Sequence, residues 1–282
     1  MVSLPRETIG PQPAPARPRG DPLVEAFRLK TRVIAALVLR DTRTHFGETR
    51  IGYLWALLEP ILHLLVLSSL FIFVLRRHIP IGGSYMLFFF TGLVPYFLYY
   101  KLASYMAGGI SANKALMNLP PVKPLDVMFA RGILEGATYL FVAFIMFLGL
   151  AITTDDAAVP ADPLQLMTAI VAIVGFGFGL GMINALIGLY VLNWRFLFQV
   201  FASPLYLLSG VFFDVSQVPQ PLRDYMLYNP LVHCIAWFRS GFYPWYGQDI
   251  LDRSYVVYWA LTLLVLGFGA ERVMRRKMLE PT

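Results

Sequence analysis

Asp41, His45 and Glu48 form the one gathering of acidic and histidine side chains beside a long apolar segment of this 282-residue chain. Asp41 and His45 are four apart, so a helix puts them on one face, where proton transfer or metal ligation is conceivable. Their spacing matches no catalytic arrangement, and a solvated polar turn explains them more simply. Glu59 and Lys101 are different, because each is a charge inside an apolar run. Charges at membrane depth are costly and usually face a bundle interior or a wet cavity. Glu59 is therefore a candidate for a polar pathway, although it sits close to the start of its run. Lys101 is a weaker candidate, since its long stem carries the ammonium toward an interface.

Some chemistry is missing. No G-x-x-x-x-G-K-[ST] loop occurs, so ATP hydrolysis by that route is excluded. Gly175, Gly177, Gly179 and Gly181 alternate within an apolar run, but no strand precedes them and the spacing fits no dinucleotide site. They read instead as small-xxx-small pairs, which let helix backbones approach. The single cysteine, Cys234, excludes an internal disulfide and reads as a packed apolar residue. No metal or cofactor is expected in this chain.

The elements that position these residues are membrane spans. The chain is 57% hydrophobic and 14% charged, where soluble domains carry about 25% charge. From Ile51 to Leu75 the only charge is Glu59, and Arg50 and Arg76-Arg77 flank the run. About 20 residues of helix cross a bilayer core. Six spans are expected, near 51–75, 84–107, 133–153, 165–192, 196–213 and 255–272. The fifth is the least regular, and the aromatic, Pro- and Gly-rich stretch from Asp214 to Tyr246 suggests a re-entrant external segment. Residues 1–20, with five prolines and three arginines, read as disordered and lack a signal-peptide core. Residues 21–282 read as one transmembrane domain. From Asp21 to Arg40, apolar residues at near-helical spacing alternate with Arg28, Lys30 and Arg32, an amphipathic helix suited to the interface and to anionic lipid. Seventeen Lys and Arg residues fall on the side of the two termini and five on the other. The positive-inside rule then puts both termini in the cytoplasm. The net charge of +6 is explained by this flanking and calls for no nucleic acid.

Aromatic residues are 15% of the chain. Interfacial belts account for part of this. Aromatic faces also suit the C–H faces of sugar rings, and stacking tolerates a moving polymer.

Two stretches carry a resemblance. Leu39-Arg40-Asp41 leads to Arg50-Ile51-Gly52-Tyr53-Leu54-Trp55-Ala56-Leu57-Leu58-Glu59-Pro60. Met117-Asn118-Leu119-Pro120-Pro121-Val122-Lys123-Pro124-Leu125-Asp126 is followed by Ala130-Arg131. With Asn229-Pro230-Leu231-Val232-His233, they make the chain after about residue 22 similar to the membrane subunit of ABC-2-type polysaccharide exporters, in the capsular (KpsM-like) branch of Gram-negative bacteria. Ala236 departs from the pattern, since many relatives carry Glu there.

The resemblance implies an all-α inner-membrane permease that exports lipid-linked capsular polysaccharide. It implies a homodimer with two separate ATPase subunits that bind the ATP and Mg, a periplasmic co-polymerase or adaptor, and an outer-membrane export protein. The connection 111–128 would be a coupling helix. Arg40, Asp41, Arg43, Leu116, Met117, Asn118, Leu119 and Lys123 are the expected ATPase-coupling residues. Tyr53, Trp55, Glu59, Phe90, Tyr96, Tyr100, Phe201, Phe212, Phe213, Trp237 and Arg239 are the expected glycan path. Other cargoes remain open: O-antigen, a teichoic-acid-like polymer or a drug. A membrane glycosyl- or acyltransferase would need a better acid–base set than Asp41, His45 and Glu48. A passive channel lacks a polar pore repeat.

Overall fold

The computed structural model describes residues 21–46, 51–75, 81–117, 122–153 and 158–278. Eleven α-helices appear among them and no strands. Helix α1 covers Pro22–Phe46, and α2 covers Ile51–Ser69 and runs on as a π-helical turn, Leu70–Leu75. Helix α3 is Tyr85–Met106, and α4 and α5 are the short Gly109–Ala112 and Lys114–Met117. Helices α6 and α7 are Pro124–Thr153 and Pro163–Ile187. Then come α8, Trp194–Leu208, α9, Leu222–Met226, α10, Pro230–Ser240, and α11, Arg253–Met278.

Local chemistry sets most of these boundaries. Ser84 accepts a bond from Leu87 N at the start of α3, and Asp162 does so from Gln165 N before Pro163 opens α7. Asn229 caps Leu231 N before Pro230 opens α10. Such side chains satisfy amide donors that have no intrahelical partner. Helix α6 starts nine residues before the expected span, because Pro124 opens the helix and Asp126 caps the Lys123 amide at 2.9 Å. Helix α7 stops at Ile187, five residues short of expectation, and Asn193 takes a left-handed φ of 65° before α8.

Five helices are long and apolar enough to cross a membrane, in α2 with its π turn, α3, α6, α7 and α11. The expected fifth span, 196–213, is instead the 15-residue α8, about 22 Å at 1.5 Å per residue and shorter than a bilayer core. It ends at Ser209, where Gly210 turns with φ 83°. Helix α10 has only 11 residues, and Leu231 to Ser240 are all buried. The expected disorder of residues 1–20 lies outside the described residues, as do Glu48 and Arg76-Arg77.

Helix α3 is the centre of the bundle. In its most apolar stretch 78% of residues are buried, against 17% in α2, so α2 is the peripheral helix. Packing around α3 relies on close approach, since between helices in lipid there is little hydrophobic driving force. The glycine run of α7 provides this on two faces. A Cβ on Gly181 would meet Met106 Sδ at 2.7 Å and Leu102 O at 2.9 Å on α3. A Cβ on Gly179 would meet Leu263 Cβ and Leu264 N at 2.8 Å on α11. Cys234 is buried in the apolar core, as its composition reading implied. The 175/179 pair therefore faces α11 and the 177/181 pair faces α3. Gly179→Ala should lower stability by about 1–3 kcal/mol through overpacking. Gly175→Ala, with its nearest neighbour at 3.7 Å, should be nearly neutral; thermal unfolding in detergent distinguishes the two.

Candidate functional site

Three helices contribute polar and aromatic side chains at helical spacing to one cleft of about 500 Å³. Helix α2 gives Glu59 and His63, α3 gives Tyr96, Phe97 and Tyr100, and α8 gives Gln199, Ser203 and Tyr206. The i, i+4 pairs 59/63, 96/100 and 199/203 each put two groups on one helix face. His63 Nε2 and Tyr206 Oη are 2.6 Å apart. Tyr96 Oη donates to Ala202 O at 2.9 Å, which fixes its ring across to α8. The rings of Tyr96 and Tyr100 are parallel within 9° at 6.1 Å, and Phe198 continues the stack from Tyr100 at 6.3 Å. Phe212 meets Tyr206 edge-on at 4.8 Å.

The two intramembrane charges found in the sequence meet at the edge of this cleft. Lys101 Nζ lies 3.0 Å from Glu59 Oε2. Lys101 also lies 5.4 Å from the Tyr105 ring, and Arg195 lies 4.9 Å from the same ring. The arrangement offers flat apolar faces, hydroxyl and amide groups and a paired charge. It holds no acid–base set of catalytic geometry.

The expected path residues separate into groups. Glu59, Tyr96 and Tyr100 line the cleft together, and Phe212 is one ring behind it. Trp55 and Phe201 are exposed on the surfaces of α2 and α8, and Phe213 is half-buried. Tyr53 is in the first turn of α2, with its side chain outside the described ones. Phe90 and Trp237 are buried in the core, Phe90 against Phe238 and Phe242. Arg239 is 0% exposed. Its guanidinium donates to Gly210 O at 2.8 Å and Val211 O at 3.2 Å, and it lies 4.2 Å from the Phe88 ring. It offers no face to a passing polymer in this conformation. Phe97, His63, Gln199, Ser203 and Tyr206 were missed; their signal was polar or aromatic residues recurring every four positions on apolar helices. Ala236 is buried in the core, on the same short helix as the buried His233, Arg239 and Ser240.

At the end of the bundle where α6 begins, charges tie α1 to the rest. Asp41, 2% exposed, pairs with Arg40 at 2.6 Å and with Arg131 of α6 at 3.6 Å. Arg131 in turn lies 3.7 Å from Glu135. Arg40 also bonds the side chain of Asn113, between α4 and α5. Earlier along α1, Lys30 pairs with Asp126 at 2.5 Å. Leu37, Met117, Val127, Met128 and Met182 form a second core beneath these pairs. Of the expected coupling residues, Arg43 and Lys123 are therefore exposed, Leu116 is half-buried, and Asp41 and Met117 are turned inward. Asn118 and Leu119 lie outside the described residues, as does the side chain of His45.

Two tests follow from this geometry. Arg239→Met should leave the Gly210 and Val211 carbonyls unpaired and cost about 3 kcal/mol or more, seen as loss of monodisperse protein on gel filtration. Arg239→Lys should recover little, because an ammonium lacks the planar fork. A double-mutant cycle of Asp41→Asn and Arg131→Gln should give a coupling energy of about 1–3 kcal/mol in thermal unfolding.

The ABC-2 type transporter family model matches residues 32–243. The chain is 31% identical over 253 residues to the polysialic acid transport protein KpsM of Escherichia coli, covering 90% of this chain and 97% of that protein. It is 32% identical over 248 residues to the capsule polysaccharide export inner-membrane protein CtrC of Neisseria meningitidis serogroup A, covering 87% and 92%. The O-antigen export system permease protein RfbA of Klebsiella pneumoniae is more distant, at 20% over 215 residues, covering 74% of this chain and 80% of RfbA. With five apolar helices long enough to span a bilayer and a family match over most of its length, this chain is a membrane protein of the ABC-2 type transporter family.

Proposed function

We propose that this chain is the inner-membrane permease subunit of an ABC transporter that exports lipid-linked capsular polysaccharide. The observation that carries the reading is the cleft between α2, α3 and α8, which combines parallel tyrosine rings with hydroxyl, amide and paired charged groups. Stacked rings bind sugar faces without demanding one register, so a polymer slides past them. Tight, fully hydrogen-bonded binding would stall it. The capsule-export relatives at about 30% identity support the same cargo class.

Transport needs energy, and the sequence carries no phosphate-binding loop, so the ATPase is a separate subunit; the resemblance to ABC-2 exporters adds that two copies of this chain work with two such subunits. Both termini face the cytoplasm, where the basic residues are concentrated. The exposed Arg43 and Lys123, with the α4–α5 connection, form the docking end. Two-way ion pairing of α1 with α6 makes this end a stiff lever that moves with the ATPase. Helix α8 acts as the short fifth span, and α9–α10 are the re-entrant segment that closes the outer end. Beyond it a periplasmic adaptor and an outer-membrane protein continue the route. Leu23, Val24 and Phe27 of α1 are exposed and apolar, as befits contact with lipid at the interface.

A strain lacking this chain should accumulate capsular polymer in the cytoplasm and lose surface capsule; normal surface capsule overturns the reading. Tyr100→Ala should cut surface capsule roughly fivefold, at about 0.5–1.5 kcal/mol for the ring, with unchanged protein level by immunoblot. Tyr100→Phe, which keeps the stacking face, should export nearly as wild type.

A further inference from the structure

A second cavity lies at the end of the bundle opposite Asp41 and Arg131. Its volume is about 620 Å³. It is framed by the first turns of α7 and α11, the last residue of α10 and the loop 244–252. Gly241 O accepts from Asp162 N at 3.0 Å, and Asp162 caps α7 at Gln165 N, also at 3.0 Å. The rim is therefore fixed by backbone bonds. Within it the Gln165 amide satisfies both neighbours when its oxygen faces Ser240 Oγ and the guanidinium of Arg253.

Two charged side chains, Arg253 and Asp252, line this cavity. Every other arginine described so far in a bonded role is either paired to a carboxylate or enclosed by carbonyl oxygens. Arg253 is exposed, bonds an amide, and pairs with no carboxylate among the described residues. Asp252, which also lines the cavity, accepts from Tyr255 N through Oδ1 at 3.0 Å and keeps its second carboxylate oxygen for a sugar hydroxyl beside Arg253. Tyr246 and Pro244 supply an aromatic and an apolar wall, and Gln248 a further amide. An available guanidinium flanked by amides and a hydroxyl, over an aromatic wall, matches a ring that carries one carboxylate and several hydroxyls.

We infer that this cavity is a binding subsite for one acidic sugar unit, with Arg253 taking the carboxylate and Gln165, Ser240 and Gln248 taking hydroxyls. The inference rests on the export reading above. It adds a place where the polymer is held at the end of the bundle away from the α1 ion pairs, separate from the Tyr96–Tyr100 cleft. The single charged contact suits reversible holding of a passing chain.

Trp245, adjacent in sequence to the lining residues Pro244 and Tyr246, is exposed and lies 6.5 Å from the Tyr246 ring, so its fluorescence reports occupancy through that ring. The full chain in lipid nanodiscs is titrated with a trimer of sialic acid and, separately, with maltotriose. The trimer should change the emission saturably, and maltotriose should bind roughly tenfold more weakly or not at all. Arg253→Gln should weaken the acidic trimer about tenfold and leave maltotriose unchanged, and Gln165→Ala should weaken both severalfold. Trp245→Phe should remove the signal, and Tyr100→Ala should not affect it. Equal binding of the two probes, or an Arg253→Gln variant that folds and binds the acidic trimer like wild type, overturns the subsite. So does a signal that disappears with Tyr100→Ala. Failure of the export reading is seen separately, as normal capsule in the deletion strain.

Discussion

A buried carbonyl must find a donor, and in a bundle without water the donor has to come from the chain. This requirement shapes the molecule where α8 stops. After Leu208 the backbone leaves the helix and turns at Gly210, whose φ of 83° no L side chain adopts cheaply. The carbonyls of Gly210 and Val211 are exposed by that turn and would be orphaned. Arg239, projecting from α10, donates to both. Its charge is spread over the Phe88 and Tyr246 rings instead of meeting an acid. Gly92 on α3 leaves the space, since a Cβ there would lie 2.9 Å from the guanidinium. A helix of 15 residues and a buried helix of 11 residues are thus stabilised by one side chain that joins three elements.

The cleft follows from the same economy applied to side chains. In an apolar helix each polar group must meet another or face an open space. The polar and aromatic residues of α2, α3 and α8 recur every fourth position, so each helix has one such face, and packing turns the three faces together. His63 finds Tyr206, Tyr96 finds Ala202 O, and Glu59 finds Lys101. Each bond crosses between helices. The polar lining is therefore also the cross-bracing of the helices that carry it.

Much of this was legible in the sequence. Apolar length located five spans to within a few residues at most ends, since water and lipid impose the same threshold on any sequence. The alternate glycines of α7 were readable as close packing, because only a missing Cβ has that use inside an apolar helix. Glu59 stood out because a charge there is expensive. What pairs with what was not legible. Lys101 is 42 residues from Glu59, and nothing in either segment indicates that α2 and α3 lie side by side. Arg239 was expected on the glycan path alongside the aromatics, yet the Phe88 and Tyr246 rings form the walls of its enclosure. Met117 read as an outward contact from its place in a short connection. The second core, formed with Leu37 of α1 and Met182 of α7, turns it inward.

The braces around the cleft are unequal, and this determines which wall yields first. Helix α1 is joined to α6 by two ion pairs, through Lys30 and Asp41, and Asp41 is nearly inaccessible at 2% exposure. Separating a buried pair leaves an uncompensated charge and costs several kcal/mol. Helix α2 is attached to α3 at the cleft by Glu59 and Lys101, whose side chains are 48% and 17% exposed. This pair is less enclosed by the protein than Asp41 and Arg131. The face of α2 is also the least buried of the spanning helices. A force applied through α1 therefore displaces α6 as one piece with it. The strain is relieved where attachment is weakest, at α2, and that is the wall carrying Glu59 and His63. Widening the cleft there keeps the Tyr96, Tyr100 and Phe198 stack intact on α3 and α8.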